Sequence, residues 1–169
     1  MNATIARILV AAVLVLGLAW GCASNESRRG PRRPPPPRVT PTQILPSVSF
    51  FEDTNGNGYL DSSRVTVYVF SDQYPDASII VPATLAVRLS TRDGRLIREW
   101  VFDERATESL IRRGPVGLGY LFVLSMLDNA GTDVIDDTRG ELVVTYTPVG
   151  GQPLNSVSNT VRIGRSGRP

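Results

Sequence analysis

From residue 44 to residue 164 apolar and polar side chains alternate with a period of two. Val65, Val67 and Val69 fall on one side of the chain, with Thr66 and Tyr68 on the other. Leu85, Val87 and Leu89 oppose Arg88 and Ser90, and Leu142, Val144 and Tyr146 oppose Thr145 and Thr147. Near the end, Val157, Val161 and Ile163 oppose Ser158, Thr160 and Arg162. Successive side chains of a strand point to opposite faces, so this pattern predicts strands buried on one side. The spacing predicts them over 44–51, 64–70, 83–90, 96–102, 119–127, 141–147 and 157–164. Turn-forming pairs separate several of them: Asp93-Gly94, Gly114-Pro115, Gly150-Gly151 and Gln152-Pro153. Residues 104–113 alone read as a helix. The expected fold is all-β, a seven-stranded antiparallel β-sandwich of immunoglobulin-like type over 44–164, with 165–169 as a loose tail.

Such a domain has no disulfide to lean on. The 169 residues include one cysteine and no histidine, and all eighteen basic residues are arginines. A domain of this size can bury a sufficient apolar core without cross-links. The same absences narrow the chemistry. The commonest general base, the Schiff-base amine and a thiolate nucleophile within the domain are missing, as are the usual zinc ligands. Serines are present without a histidine partner. Acid-based hydrolysis and sugar binding on Tyr68, Tyr74 and Trp100 remain as alternative readings, and the first expectation is a non-enzymatic module.

The single cysteine, Cys22, follows Leu18-Ala19-Trp20-Gly21. Ahead of it lie Arg7 and an apolar run of fourteen residues from Ile8 to Gly21. That run is short for a membrane span, which needs about 20 residues. A basic flank, an apolar centre and a small residue before the cut are the parts of an export signal. The stretch resembles the N-terminus of a bacterial lipoprotein precursor, with Ala19 and Trp20 departing from the family's usual residues. The resemblance implies a signal peptide over 1–21, cleavage before Cys22 and a diacylglyceryl group on its sulfur. It also implies a cell-envelope location, periplasmic or exterior, and Ala23 in place of aspartate points to the outer membrane. Nucleic acid is not an expected partner of an exported chain; an envelope protein or polysaccharide is.

Residues 22–43 read as a tether, with Pro34 to Pro37 in sequence and Arg28, Arg29, Arg32, Arg33 and Arg38 around them. Consecutive prolines favour an extended spacer. The net charge of +2 hides an uneven distribution. From Val39 onward twelve arginines face fifteen acids, a net of minus three. The basic character thus belongs to the leader and tether, where arginines either meet anionic lipid or keep the linker solvated.

Between the first two strands runs Asp53-Thr54-Asn55-Gly56-Asn57-Gly58-Tyr59-Leu60-Asp61. Calcium takes six to eight oxygen ligands on a sharply turning loop, with carboxylates or amides at alternate positions. Asp53, Asn55, Asn57 and Asp61 stand at positions one, three, five and nine, Gly58 at the turn, and the Tyr59 carbonyl at position seven. The loop resembles the calcium loops of EF-hand, dockerin and thrombospondin-type repeats, which implies a calcium ion held by these five residues. Its twelfth position is Arg64 rather than an acid, so the resemblance covers the loop and not flanking helices. If neighbouring strands reverse direction throughout, the loops 52–63, 91–95 and 128–140 share one end of the sandwich. Asp93, Asp128, Asp133, Asp136 and Asp137 then become candidate additional ligands. The alternative is that these acids are turn formers and solubilising charges.

The expected whole is a membrane-tethered binding or structural module of the envelope. Metabolic labelling with a palmitate analogue tests the anchor: the wild-type chain should be labelled and Cys22→Ser should not. Equal labelling of both, or of neither, removes it.

Overall fold

Three valines set the first layer. Val65, Val67 and Val69 have no solvent exposure, and their strand extends across Ser62–Ser71. The computed structural model describes residues 38–167; the signal segment, Cys22 and most of the tether lie outside the described residues. In chain order these form β1 (Gln43–Val48), β2 (Tyr59–Leu60), β3 (Ser62–Ser71), β4 (Tyr74–Ile79), β5 (Ala83–Ser90) and β6 (Leu96–Phe102). The short helix α1 (Glu104–Ser109), β7 (Ile111–Arg113), β8 (Leu118–Ser125) and a 3-10 turn (Asp128–Ala130) follow. The chain continues through β9 (Arg139–Pro148), β10 (Leu154–Asn155), β11 (Asn159–Arg162) and β12 (Gly164–Arg165).

One sheet has the order β1-β3-β8-β7, with β4 also paired to β3. The other runs β6-β5-β9, and β10 and β11 share the free edge of β9 in succession. A two-stranded ladder joins β12 to β2. Every pairing is antiparallel. The molecule is therefore all-β, with two antiparallel sheets sharing one core. Leu85, Val87, Leu89, Leu142, Val144 and Tyr146 of the second sheet are fully buried and belong to the same apolar cluster as the β3 valines.

Aromatic residues tie the sheets together. Phe102 and Phe122 stack with ring centroids 4.9 Å apart. Trp100 on β6 donates its Nε1–H to the Ser125 carbonyl on β8 at 3.0 Å, giving the indole an apolar berth and its polar tip an acceptor. Tyr120 from one sheet and Tyr146 from the other both donate to the Val81 carbonyl, at 2.6 and 2.8 Å. Burial pushes both phenols above their ordinary pKa, because a phenolate there would lose its water.

All seven expected spans contain strand, and several boundaries move for identifiable reasons. β4 escapes the sequence pattern because Pro75 and Asp76 interrupt it; the segment nonetheless pairs with β3 through Val69–Ile79 and Ser71–Tyr74 across a bulge. The helix stops at Ser109 instead of 113, and Ile111 to Arg113 pair with β8 as β7. Asp103 caps its start, accepting from the Ala106 N–H at 2.8 Å. Val157, expected inward, is 79% exposed, because it lies in the break between β10 and β11, just after the Ser156 N–H bonds to the Val144 carbonyl. Arg165, expected in a loose tail, is paired in β12.

Because both phenols share one carbonyl, Tyr120→Phe or Tyr146→Phe alone leaves Val81 with a donor. Each single variant should lose about 1 kcal/mol, and the double variant more than their sum, because the half-buried Val81 then loses both donors to its carbonyl. A raised folded-state pKa contributes stability that is complete below about pH 10 and lost as pH climbs beyond it. Urea denaturation from pH 8 to 11 should therefore show a shallower alkaline decline in the double variant; an identical decline removes the pair from the account.

Candidate functional site

Antiparallel pairing carries three connections to one end of the sandwich. The start of β3 lies beside the end of β8, and the end of β5 beside the start of β9. The loops 49–61, 91–95 and 126–138 therefore meet, opposite the end at which the chain enters β1. Direct contacts join them. The Met126 N–H donates to the Asp61 carbonyl at 2.7 Å, and Arg95 forms an ion pair with Asp137 at 2.6 Å.

The loop from Asp53 to Asp61 is built from side chains that fold back on its own backbone. The two Asp53 oxygens accept from the N–H groups of Gly56 and Gly58, at 2.7 and 2.8 Å. Asn55 Oδ1 accepts from the Asn57 N–H at 3.0 Å, and Asn57 Oδ1 from the Tyr59 N–H at 2.9 Å. Gly56 and Gly58 have φ of 77° and 87°, the left-handed region where a β-carbon is disfavoured. Asp61 is 1% exposed and braces the loop from beneath. Its oxygens accept from the Thr54 N–H, the Thr54 hydroxyl and the Asn55 N–H, at 3.1, 2.7 and 3.2 Å.

Asp133 closes the arrangement from the 126–138 loop. The amide nitrogens of Asn55 and Asn57 both donate to its Oδ2, at 2.9 and 2.8 Å. Only 3% of Asp133 is exposed. Desolvation alone would raise its pKa, but the hydrogen bonds from Asn55 and Asn57 outweigh it and hold the carboxyl below its usual range. On the far side β12 lies against the loop. The Ser166 N–H donates to the Gly58 carbonyl at 2.8 Å, and Arg165 stands 5.9 Å from the centre of the Tyr59 ring. The ladder bonds fall on Gly58 and Leu60, so the intervening Tyr59 carbonyl points away from β12. Gly164 is required here: a β-carbon on it would lie 2.4 Å from the Asp137 carbonyl oxygen.

The structure thus brings Asp53, Asn55, Asn57, Tyr59 and Asp61 into one loop and adds Asp133 to it. The other acids take separate posts. Asp137 pairs with Arg95, and a hydrogen bond from Thr91 chiefly holds the Asp93 carboxyl below its usual pKa. Asp128 opens the 3-10 turn, and Asp136 is exposed on a cleft of about 400 Å³ shared with Arg95 and Arg98. Among the described residues no three acids gather closely enough to form a carboxylate cage. The oxygens on offer to an ion are the carboxylates of Asp53 and Asp133, the amide oxygens of Asn55 and Asn57, and the Tyr59 carbonyl. This is a mixed hard-oxygen set of the kind calcium accepts.

Tyr68, Tyr74 and Trp100 do not form an exposed aromatic platform; they are 5%, 6% and 6% exposed. Tyr68 points away from the core but is roofed by Gly114 and Gly119, where a β-carbon would stand 2.2 Å from its hydroxyl and 3.0 Å from its ring. Sequence reasoning missed Thr54 and the docking of Ser166. Thr54 acts through its hydroxyl and N–H, and Ser166 through its N–H, contacts that spacing does not report.

Asp61→Ala strips three donors of their acceptor and should cost about 1–3 kcal/mol of folding stability. Asp136→Ala at an exposed position should stay within about 0.5 kcal/mol. Equal effects in chemical denaturation would show that Asp61 is not the brace. No family model, curated protein or solved structure matches this chain.

Proposed function

We propose that this chain is a membrane-tethered, non-enzymatic binding or structural module of the bacterial cell envelope, anchored through a lipidated Cys22 and stabilised by calcium at the 53–61 loop. The observation that carries the reading is the clasp of Asp133 on Asn55 and Asn57. It couples a calcium-type loop to a second loop of the same end, so an ion there would fix two connections at once. The chain enters β1 at the opposite end, which leaves this end free for contact. The immunoglobulin-like assignment draws support from the strand order. With β1, β3, β8 and β7 as A, B, E and D, and β11, β9, β5 and β6 as G, F, C and C′, the two sheets follow the order of that architecture.

An ion taken up by the loop would face Asp53, Asp133 and the two asparagine amides. The Oδ1 atoms of Asn55 and Asn57 accept from the Asn57 and Tyr59 N–H groups and each keeps a second lone pair for an ion. A ligand specific for the folded state stabilises it in proportion to the logarithm of its concentration above Kd. Millimolar calcium should therefore raise the Tm of the wild-type domain, and Asp53→Asn with Asp133→Asn should abolish that rise. A rise of the same size in both proteins, or none in the wild type, would overturn the calcium assignment.

A further inference from the structure

On the side of the sandwich where β1 and β11 form the sheet edges, a groove of about 570 Å³ opens between them. Its walls come from Val48, Ser49 and Phe50 on one side and Asn159 to Arg162 on the other. Both walls present unpaired backbone. The Ser49 N–H bonds to the Arg64 carbonyl, so in the alternating antiparallel pattern Gln43, Leu45 and Ser47 bond to β3. Val48 then turns its N–H and C=O groups outward, whereas the Phe50 carbonyl already accepts from the Ser49 hydroxyl at 3.3 Å. The Ile163 N–H bonds to the Thr138 carbonyl, which commits Asn159 and Val161 to β9 and turns the backbone of Thr160 and Arg162 outward. On β1 the outward position at Pro46 has no N–H, so β11 is the better edge for a new strand.

The side chains around this edge carry charge without a counter-charge among the described residues, and Arg162 donates to the Ser166 carbonyl at 3.2 Å. Arg139 and Arg162 stand directly opposite each other across β9 and β11. Like charges so placed repel. Among the described residues neither makes an ion pair; the nearby Glu141 is engaged by the hydroxyls of Ser158 and Thr160. At the mouth of the groove Phe50 is 89% exposed, although its neighbour Phe51 is buried.

We infer that this groove binds an extended acidic segment of a partner protein, which adds as a strand along β11. Its backbone pairs with Thr160 and Arg162, a carboxylate settles between Arg139 and Arg162, and an apolar side chain packs on Phe50. Main-chain pairing supplies affinity in strand addition, and side-chain contacts supply selectivity. The inference deepens the binding-module reading but requires neither the anchor nor calcium, so its failure would leave both standing.

The test uses the full chain and a fluorescent octapeptide of alternating valine and threonine with one central glutamate. Fluorescence anisotropy should show saturable binding, weakened about tenfold or more when the glutamate is replaced by glutamine, the equivalent of about 1.4 kcal/mol. Arg139→Gln with Arg162→Gln should erase the difference between the two peptides. Thr160→Pro removes an outward N–H without touching the β9 ladder; it should abolish binding while circular dichroism shows the fold intact. A Thr160→Ser control keeps the N–H and should bind like wild type. Absence of peptide binding, indifference to the glutamate, or binding that survives Thr160→Pro would each overturn the proposal. So would a concentration-dependent dimer that blocks the groove.

Discussion

The domain depends on burying two strand faces against each other with no covalent help. Cys22 is the one cysteine and lies ahead of the domain, so no disulfide holds β3 and β8 over β5 and β9. A fully buried Val or Leu contributes about 1.5–3 kcal/mol relative to exposure, and the faces at β3, β5 and β9 carry nine such buried positions including Tyr146. Apolar burial is non-directional, however, and would tolerate sliding of one sheet over the other. The aromatic polar tips remove that freedom. Trp100 reaches across to the Ser125 carbonyl, and Tyr120 and Tyr146 converge on Val81. Each bond forms in one relative placement of the sheets only, and each would leave a buried polar atom unsatisfied elsewhere.

At the loop end the balance of forces changes. The 49–61 and 126–138 segments bury little apolar surface beyond Phe51, Leu60 and Met126, and their order comes from hydrogen bonds to carboxylates and amides. Asp61 and Asp133 act from opposite sides of one loop, and β12 closes a third. Arg98 shows what this density costs. Its guanidinium lies against Gly131, where a β-carbon would stand 2.4 Å from Nη1, and its buried Nε and Nη2 have no acceptor among the described residues.

Period-two alternation made the strands legible because it reports which side chains share a face. It does not report what covers the outer face, so the burial of Tyr68, which lies opposite the valines, has no signal in the pattern. Gly114 and Gly119 bring a backbone roof over it, and no local pattern foretells that. Pro75 and Asp76 hid β4 because edge strands tolerate residues that central strands refuse. The meeting of three loops was legible, since antiparallel neighbours carry alternate connections to the same end. Among five candidate acids in those loops, nothing in the sequence distinguished Asp133 from Asp136 or Asp137. The choice is made by which carboxylate the fold turns inward, a tertiary fact with no local signature.

Sheet edges pose the remaining problem, because each unpaired edge is a template for another chain. Pro46 blunts β1, and β10 and β11 are short. Arg139 and Arg162 would serve as ordinary edge charges, yet two arginines in register do more than discourage pairing. In a symmetric dimer formed edge to edge through β11, four arginines would be brought together, so the pair selects against a second copy of this chain. The same repulsion is relieved by a carboxylate on the incoming strand. An edge defended in this way is closed to its own kind and open to an acidic partner, and discrimination of that sort is what a binding surface requires of its repulsive elements.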